Sequence, residues 1–373
     1  MVHSTRAVVD LEAIASNYRL LKERAGGRQV YAVGKADAYG HGAVPVALRL
    51  ENEGADRFCV AIVEEAIALR SAGIRGQILI LGAADPTDAA LHRGYGLVPA
   101  IHDLDQARRF AEATASYVPA LPVHIKLDSG MGRLGIRLEA VEELAAILGG
   151  ARGLAVAGAF TQLASGEDAA AEPTRGQVET LRAGLARLSR AGIVPPTVHV
   201  ANSGGVLLHP EALFDAVRPG LSLYGLLPSE SLRDPGLVPA MELETRVLAV
   251  KTVTAGTPLG YGGAFVTSRP SRIATLPIGY HDGFRRSFSG RVAVLLRGKR
   301  APVVGRVSMD LTLVDATESG AEPGDRVVLM GRAGAESVTA WDLARADGTI
   351  PWEILCGVGA RVPRVYARHG ASA

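Results

Sequence analysis

The sequence predicts an α/β chain in two parts: an N-terminal (β/α)8 barrel of the TIM type over residues 1–235, then a mostly-β domain over residues 236–373. Three observations carry this. Short apolar runs alternate with amphipathic helical stretches up to about residue 228, the signature of βαβ units and a parallel sheet. About eight such runs fall in roughly 225 residues, the size and rhythm of a closed barrel. Beyond about residue 235 the long helical stretches cease, and short strands broken by Gly, Pro and Ser take over. A doubly wound open sheet uses the same alternation, because periodicity does not fix closure.

Taken in order, residues 10–23 have apolar positions at helical spacing and form an amphipathic helix that caps or precedes the barrel. The strand runs lie at 29–34, 57–62, 77–81, 96–101, 122–127, 154–160, 197–201 and 216–217. Between them, stretches such as 139–148 and 177–191 place apolar residues at i, i+3 and i+4. In the second part, 247–253, 272–277, 291–296, 301–304, 311–315 and 325–329 read as short strands, and 340–345 as a helix.

Composition narrows the function classes. Of 373 residues, 48% are hydrophobic and 21% charged, which suits a globular protein with a large core and argues against disorder. The 40 basic and 38 acidic residues leave a net charge of +2, giving no reason to expect nucleic acid or an acidic membrane surface as partner. Cys59 and Cys356, the only cysteines, can build neither a disulfide framework nor a cysteine-rich metal site, and no metal is expected. The start lacks the charged and apolar regions of a secretory signal, and no apolar run approaches a membrane span. The expectation is a soluble, cytoplasmic protein.

Polar and glycine residues crowd onto three strand ends, where a barrel places its chemistry. The first segment runs Tyr31-Ala-Val-Gly-Lys35-Ala-Asp-Ala-Tyr39-Gly-His41-Gly42. A lysine at a barrel mouth, partly desolvated, can form a Schiff base with a carbonyl; equally, the segment reads as a surface lysine before a loop. The second, His124-Ile-Lys126-Leu-Asp128-Ser129-Gly-Met131-Gly132-Arg133, puts His124, Lys126 and Asp128 on one strand face and presents Arg133 from a turn. It reads either as an anion site or as a structural salt-bridge network. The third is His199-Val-Ala-Asn202-Ser203, followed by Val217-Arg218-Pro-Gly220-Leu221. A helix start there can bind phosphate through backbone N–H groups, or Asn202 can simply cap the helix. Together a lysine, a phosphate-like cradle and a strand-end arginine suggest pyridoxal phosphate. In the C-terminal part, Tyr261 between glycines is an exposed acid or base or a turn aromatic, and Met309 by default a core residue.

These segments resemble, in order and over nearly the whole length, the alanine racemase family of pyridoxal-phosphate enzymes. The most specific match is Val33-Gly-Lys35-Ala-Asp-Ala-Tyr39-Gly-His-Gly. Supporting it are Lys126-Leu-Asp-Ser-Gly-Met-Gly-Arg133, Gly260-Tyr261-Gly, Ile278-Gly-Tyr280-His-Asp-Gly, Gly305-Arg306-Val-Ser-Met309-Asp310 and Arg361-Val-Pro-Arg-Val-Tyr. The resemblance implies that Lys35 holds the cofactor and serves as base for one face of the substrate α-carbon, with Tyr261 of a partner subunit serving the other. It therefore implies a head-to-tail homodimer with shared active sites, acting on a small molecule and supplying D-alanine for peptidoglycan. It implies that Arg218 faces the pyridine nitrogen with His199 behind it, and that Arg133 contacts cofactor and substrate carboxylate. Tyr39, Asn202, Ser203, Gly220 and Leu221 fall around the phosphate, and Met309 and Asp310 around the substrate. Tyr280, Arg286 and Arg306 match entrance residues, and Lys126 matches a lysine carbamylated in some members. Three positions depart from the family: Gln162 replaces a ring-stacking His, Trp352 a Tyr, and Ser308 a frequent Cys. The altered pocket wall leaves two alternatives, a racemase of another small amino acid such as serine, and a non-catalytic cofactor carrier.

Overall fold

The computed structural model describes residues 4–82 and 84–367. Two compact units emerge: one comprises residues 14–38 and 43–238, the other the described residues before 14, residues 39–42, and those from 239 onward.

The first strand, β1 (Arg6–Asp10), belongs to the second unit. The barrel unit is built from β2 (Gln29–Val33), β3 (Arg57–Val60), β4 (Gln77–Ile80), β5 (Leu97–Ile101), β6 (Leu121–Lys126), β7 (Leu154–Phe160), β8 (Val198–His199) and β9 (Ala216–Val217). All eight pair in parallel, and β9 returns to β2 through Gln29 opposite Ala216, so the sheet closes and the open-sheet alternative falls. Residues such as Val30, Phe58, Leu79, Ala100, Ile125 and Ala159 are buried, as strands covered on both faces must be. Helix signals match where caps exist: Asp103 accepts the Gln106 N–H at 2.8 Å and starts the helix Leu104–Ala113.

The helix expected over 10–23 is α1 (Leu11–Arg24), with Ile14, Ala15, Tyr18 and Leu21 on its buried stripe. It lies against the end of the barrel chain. Asn17 donates to the carbonyls of Leu223 and Val238 (3.1 and 2.9 Å) and accepts the Val238 N–H (2.9 Å).

The second unit holds β10 (Met241–Arg246), β11 (Ala249–Val253), a two-stranded ribbon of β12 (Pro258–Leu259) and β13 (Phe265–Val266), and then β14 (Ser271–Leu276), β15 (Ala293–Leu296), β16 (Lys299–Val304), β17 (Thr312–Asp315), β18 (Arg326–Ala333), β19 (Glu336–Val338) and β20 (Arg364–Ala367). Its main sheet runs β11-β14-β17-β16-β15-β18-β10-β1-β20, with β19 attached to β18. Neighbours are antiparallel except β1 and β20, which run parallel with Ala7 opposite Arg364. Residues 4–13 and 39–42 thus group with the chain after 239, because β1 finds its backbone partners in β10 and β20. At this seam buried Glu244 accepts from Arg6 (2.5 Å) and from Arg326, one carboxylate serving two guanidinium groups across three strands. Cys59 is buried and Cys356 exposed, and no disulfide joins them. Among the described residues no helix is long and apolar enough to cross a membrane.

Candidate active site

Lys35 begins immediately after β2 and opens a single helical turn, α2 (Lys35–Gly40), of the wrong hand. Ala36, Asp37, Ala38 and Tyr39 have φ of 53 to 55°, so four consecutive L-residues sit in the left-handed region. Each costs roughly 1–2 kcal/mol there, and such a run persists only when its surroundings over-determine it. The restraints are visible. Tyr224 donates its hydroxyl to the Val33 carbonyl at 2.8 Å, just before the lysine. Glu65 accepts the Ala36 N–H (2.7 Å) with one oxygen and the Ala61 N–H (2.8 Å) with the other, and Asp37 accepts the Ala43 N–H (2.7 Å). Following the turn, Gly40 and Gly42 allow a close approach: a Cβ on Gly40 would meet the Leu355 carbonyl at 2.5 Å, and one on Gly42 the Tyr366 hydroxyl at 1.9 Å. Arg364 fixes the same segment by donating to the Gly40 carbonyl at 2.9 Å.

At the end of β9, Arg218 is buried and both terminal nitrogens of its guanidinium donate. It reaches the His199 Nδ1 and carbonyl (both 2.8 Å), the Thr161 carbonyl (2.6 Å), the Val200 carbonyl (3.2 Å) and, more loosely, the Gln162 Oε1 (3.4 Å). Burial pulls its pKa down to about 10, and even so it remains a cation at neutral pH. The His199 ring stacks against Phe160 (4.9 Å, 7°) and Tyr31 (4.8 Å, 27°), and its Nε2 lies 2.8 Å from the His124 Nδ1. Burial first, then the Arg218 charge, hold His199 well below the usual histidine range.

Positive charge gathers at this mouth. Lys126, at the end of β6, has its pKa lowered to about 8, by burial first and then by the charges of Arg133, Arg218 and Lys35, with Asp128 opposing. Its ammonium lies 5.7 Å from the Phe160 ring centre, and the Arg218 guanidinium 5.2 Å from the same ring. Asp128 forms no ion pair among the described residues. It accepts the N–H groups of Gly130 (3.1 Å) and Gly132 (3.0 Å), shaping the turn that presents exposed Arg133. The structure therefore departs from the salt-bridge-network reading: Lys35, Arg133 and Arg218 each act on Lys126, a cationic set suited to an anionic ligand.

On the β8 side, Asn202 is the N-cap of the short helix Ser203–Leu208, accepting the Gly205 N–H at 2.9 Å. Ser203 Oγ accepts the N–H groups of Gly220 (2.9 Å) and Ser222 (3.2 Å), which ties this turn to the turn Leu221–Tyr224 and leaves the serine hydroxyl hydrogen to donate. Two helix starts converge here, and such starts leave backbone N–H groups without intrahelical partners. Gln162 is half-buried, and Gln177 braces its backbone by donating to the Gln162 carbonyl at 3.1 Å.

The remaining predicted residues lie in the second unit. Tyr261 is 69% exposed on a turn with Gly260 and Gly262 at positive φ, and a Cβ on Gly262 would stand 3.4 Å from the Arg306 guanidinium. Met309, 52% exposed, sits beside Tyr280: the Tyr280 and His281 N–H groups donate to the carbonyls of Ser308 (3.0 Å) and Met309 (3.1 Å). Asp310 accepts from Arg361 at 2.6 Å, and Arg361 also binds fully buried Asp282 at 2.5 Å. Arg286 is exposed, Trp352 half-buried on the helix Pro351–Cys356, and Tyr39 buried. Met309 is thus a surface residue, against the default reading of a core methionine. Tyr31, Phe160 and Thr161 were missed from sequence: an aromatic or threonine on an apolar strand reads as core, and only three-dimensional closure brings them round Arg218.

The family model described as alanine racemase, N-terminal domain, matches residues 9–228, and that for the alanine racemase C-terminal domain matches residues 240–366. An alanine racemase of Symbiobacterium thermophilum is 43% identical over 369 residues, 98% of each chain. The structure of alanine racemase from Bacillus anthracis with bound L-Ala-P superposes with a TM-score of 0.94 at 35% identity, covering 99% of this chain and 96% of that one. That of alanine racemase from Bartonella henselae with covalently bound pyridoxal phosphate gives 0.88 at 32% identity, covering 98% and 99%.

Proposed function

The chain belongs to the alanine racemase family, a family of isomerases, and on that premise we propose that it interconverts L-alanine and D-alanine with pyridoxal 5'-phosphate, using Lys35 and Tyr261 as the two bases. The observation that carries the reading is Lys35 at the end of β2 in the electrostatic field of Arg218, Lys126 and Arg133. The donor set fits the cofactor. It offers a lysine amine, a buried guanidinium that can only donate, and two converging helix starts beside a serine hydroxyl.

When bound, pyridoxal phosphate supplies a carbonyl that condenses with amines and an electron-withdrawing ring that acidifies the α-hydrogen. Lys35 holds the cofactor through Nζ and, once released by substrate, takes or returns a proton at that atom. Tyr261 does the same through its phenolic oxygen on the opposite face, so a proton removed on one side is replaced on the other. Arg218 would hold the cofactor at its ring nitrogen as a hydrogen-bond donor that keeps its own proton, its guanidinium fixed by His199 and the Thr161 carbonyl. His199 holds Arg218 from behind, and Gln162 covers the ring. By the family resemblance Tyr39, Asn202, Ser203, Gly220 and Leu221 gather the phosphate, Ser203 through its hydroxyl and Leu221 through backbone N–H. Arg133 holds the substrate carboxylate and Met309 and Asp310 of the partner subunit close the pocket around it, while Tyr280, Arg286 and Arg306 line the approach. With its pKa near 8, Lys126 has an appreciable neutral fraction at mildly alkaline pH, the form that adds to CO2 and releases a proton to give a carbamate beside Arg133.

The exposure of Tyr261, Met309 and Tyr280 supports a homodimer in which residues 236–373 of one subunit complete the site built on residues 1–235 of the other. A cytoplasmic enzyme feeding D-alanine to peptidoglycan fits this reading. The deciding experiment follows L-alanine by circular dichroism in D2O with the purified protein and added cofactor. Loss of optical signal with deuterium entering the α-position is expected. Exchange with serine but not alanine would move the assignment to another small amino acid, and silence with both despite bound cofactor would make the protein a carrier.

A further inference from the structure

We propose that His124 is a positioning residue: by accepting a hydrogen bond from His199 it locks the His199 tautomer that faces Arg218, and so fixes the guanidinium. The functional consequence rests on the racemase reading; the relay itself rests on geometry. Arg218 Nη1 lies 2.8 Å from the His199 Nδ1, and a guanidinium has no acceptor, so that nitrogen must offer its lone pair. A neutral His199 then carries its hydrogen on Nε2, which lies 2.8 Å from the His124 Nδ1 and must donate to it. His124 in turn carries its hydrogen on Nε2, which is buried and has no hydrogen-bonding partner among the described residues. The opposite tautomer of His199 would set N–H against N–H at Arg218. Burial, assisted by the charges of Arg57 and Arg218, holds His124 down to about 3, so the relay stays neutral. Among the described residues its far end meets no acceptor that would carry a proton onward. Its work is orientation.

The backbone is shaped for this ring. Pairing of β6 with β7 shifts register between Val123 and His124, re-aiming the side chain, and the partner of His124 is Gly158. A Cβ on Gly158 would stand 2.4 Å from the His124 Cε1. Tyr31 meets the ring edge-on at 6.0 Å while stacking on His199.

The test is imidazole 15N NMR of full-length, histidine-labelled protein loaded with pyridoxal phosphate, run beside racemisation kinetics on the same samples. In the wild type, His199 should show unprotonated Nδ1 and protonated Nε2. His124→Leu should lose that signature and lower kcat roughly tenfold to a hundredfold, with Gly158→Ala shifting both in the same direction. His124→Asn, whose side-chain oxygen can accept in place of Nδ1, should restore both to within a few fold. A wild-type His199 protonated on Nδ1 overturns the proposal without any variant. So does a folded His124→Leu protein with an unchanged His199 signature, whatever its rate. An inactive wild type with the expected tautomers would overturn the racemase reading and leave the relay standing.

Discussion

On the proposed two-base reading, removing the Lys35 amine or the Tyr261 hydroxyl deletes one of two proton carriers, so Lys35→Ala and Tyr261→Phe are each expected to slow racemisation roughly a hundredfold to ten-thousandfold. Deuterium washout from each alanine enantiomer should then become asymmetric, because the surviving base serves a single face. Lys126 makes a second prediction at this scale. Its lowered pKa near 8 exposes a neutral amine, so activity should rise when CO2-depleted protein is given bicarbonate at mildly alkaline pH, and Lys126→Met should abolish that response. The places of Lys35, Lys126 and Arg218 at the ends of strands were legible in the sequence, because a polar residue that closes an apolar run marks where the strand stops. The partners that orient them were not. Phe160 and Tyr31 look like ordinary core, and the meeting of His124 with His199 depends on strands 75 residues apart.

Among elements, the barrel strands could be read because parallel strands buried on both faces are written as continuous apolar runs. β1, β10 and β20 could not. Arg6 and Glu244 look like surface alternation, and only the cross-strand register that sets them opposite each other makes a buried strand of both. The left-handed turn α2 was invisible for a different reason. Ala36-Asp37-Ala38-Tyr39 has no glycine to signal positive φ, and its conformation comes from groups outside the turn. Glu65 is the clearest of these. Glu65→Ala leaves the Ala36 and Ala61 N–H groups without their acceptor, at roughly 0.5–1.5 kcal/mol for each lost bond, since both groups lie within reach of water. A lower Tm and a reduced kcat are expected, with Glu65→Gln, which keeps one acceptor oxygen, in between. Unchanged kinetics in a destabilised Glu65→Ala protein would mean that the turn braces the fold but not Lys35.

For the whole molecule, the proposed shared-site homodimer predicts complementation. When inactive Lys35→Ala and Tyr261→Phe proteins are unfolded together and refolded, half the dimers are mixed and each mixed dimer has one intact site, so about a quarter of wild-type activity should return. No recovery would place both bases in one chain. The buried histidines predict acid sensitivity. His124 and His199 have lowered pKa values in the folded state, whereas unfolded histidines take up protons near pH 6.5. Stability from these rings is complete above that pH and is lost as pH falls, at up to about 1.4 kcal/mol per pH unit per ring. Urea midpoints between pH 7 and 4.5 should therefore fall more steeply for the wild type than for His124→Leu. The sheet order also has a consequence for biosynthesis. β1 precedes the barrel strands along the chain, yet its hydrogen-bonding neighbours are β10 and β20, so every barrel strand is translated before either partner exists. The nascent chain must carry Ala7 and Val9 unpaired through that interval, and the second unit can be completed only after β20 has been made.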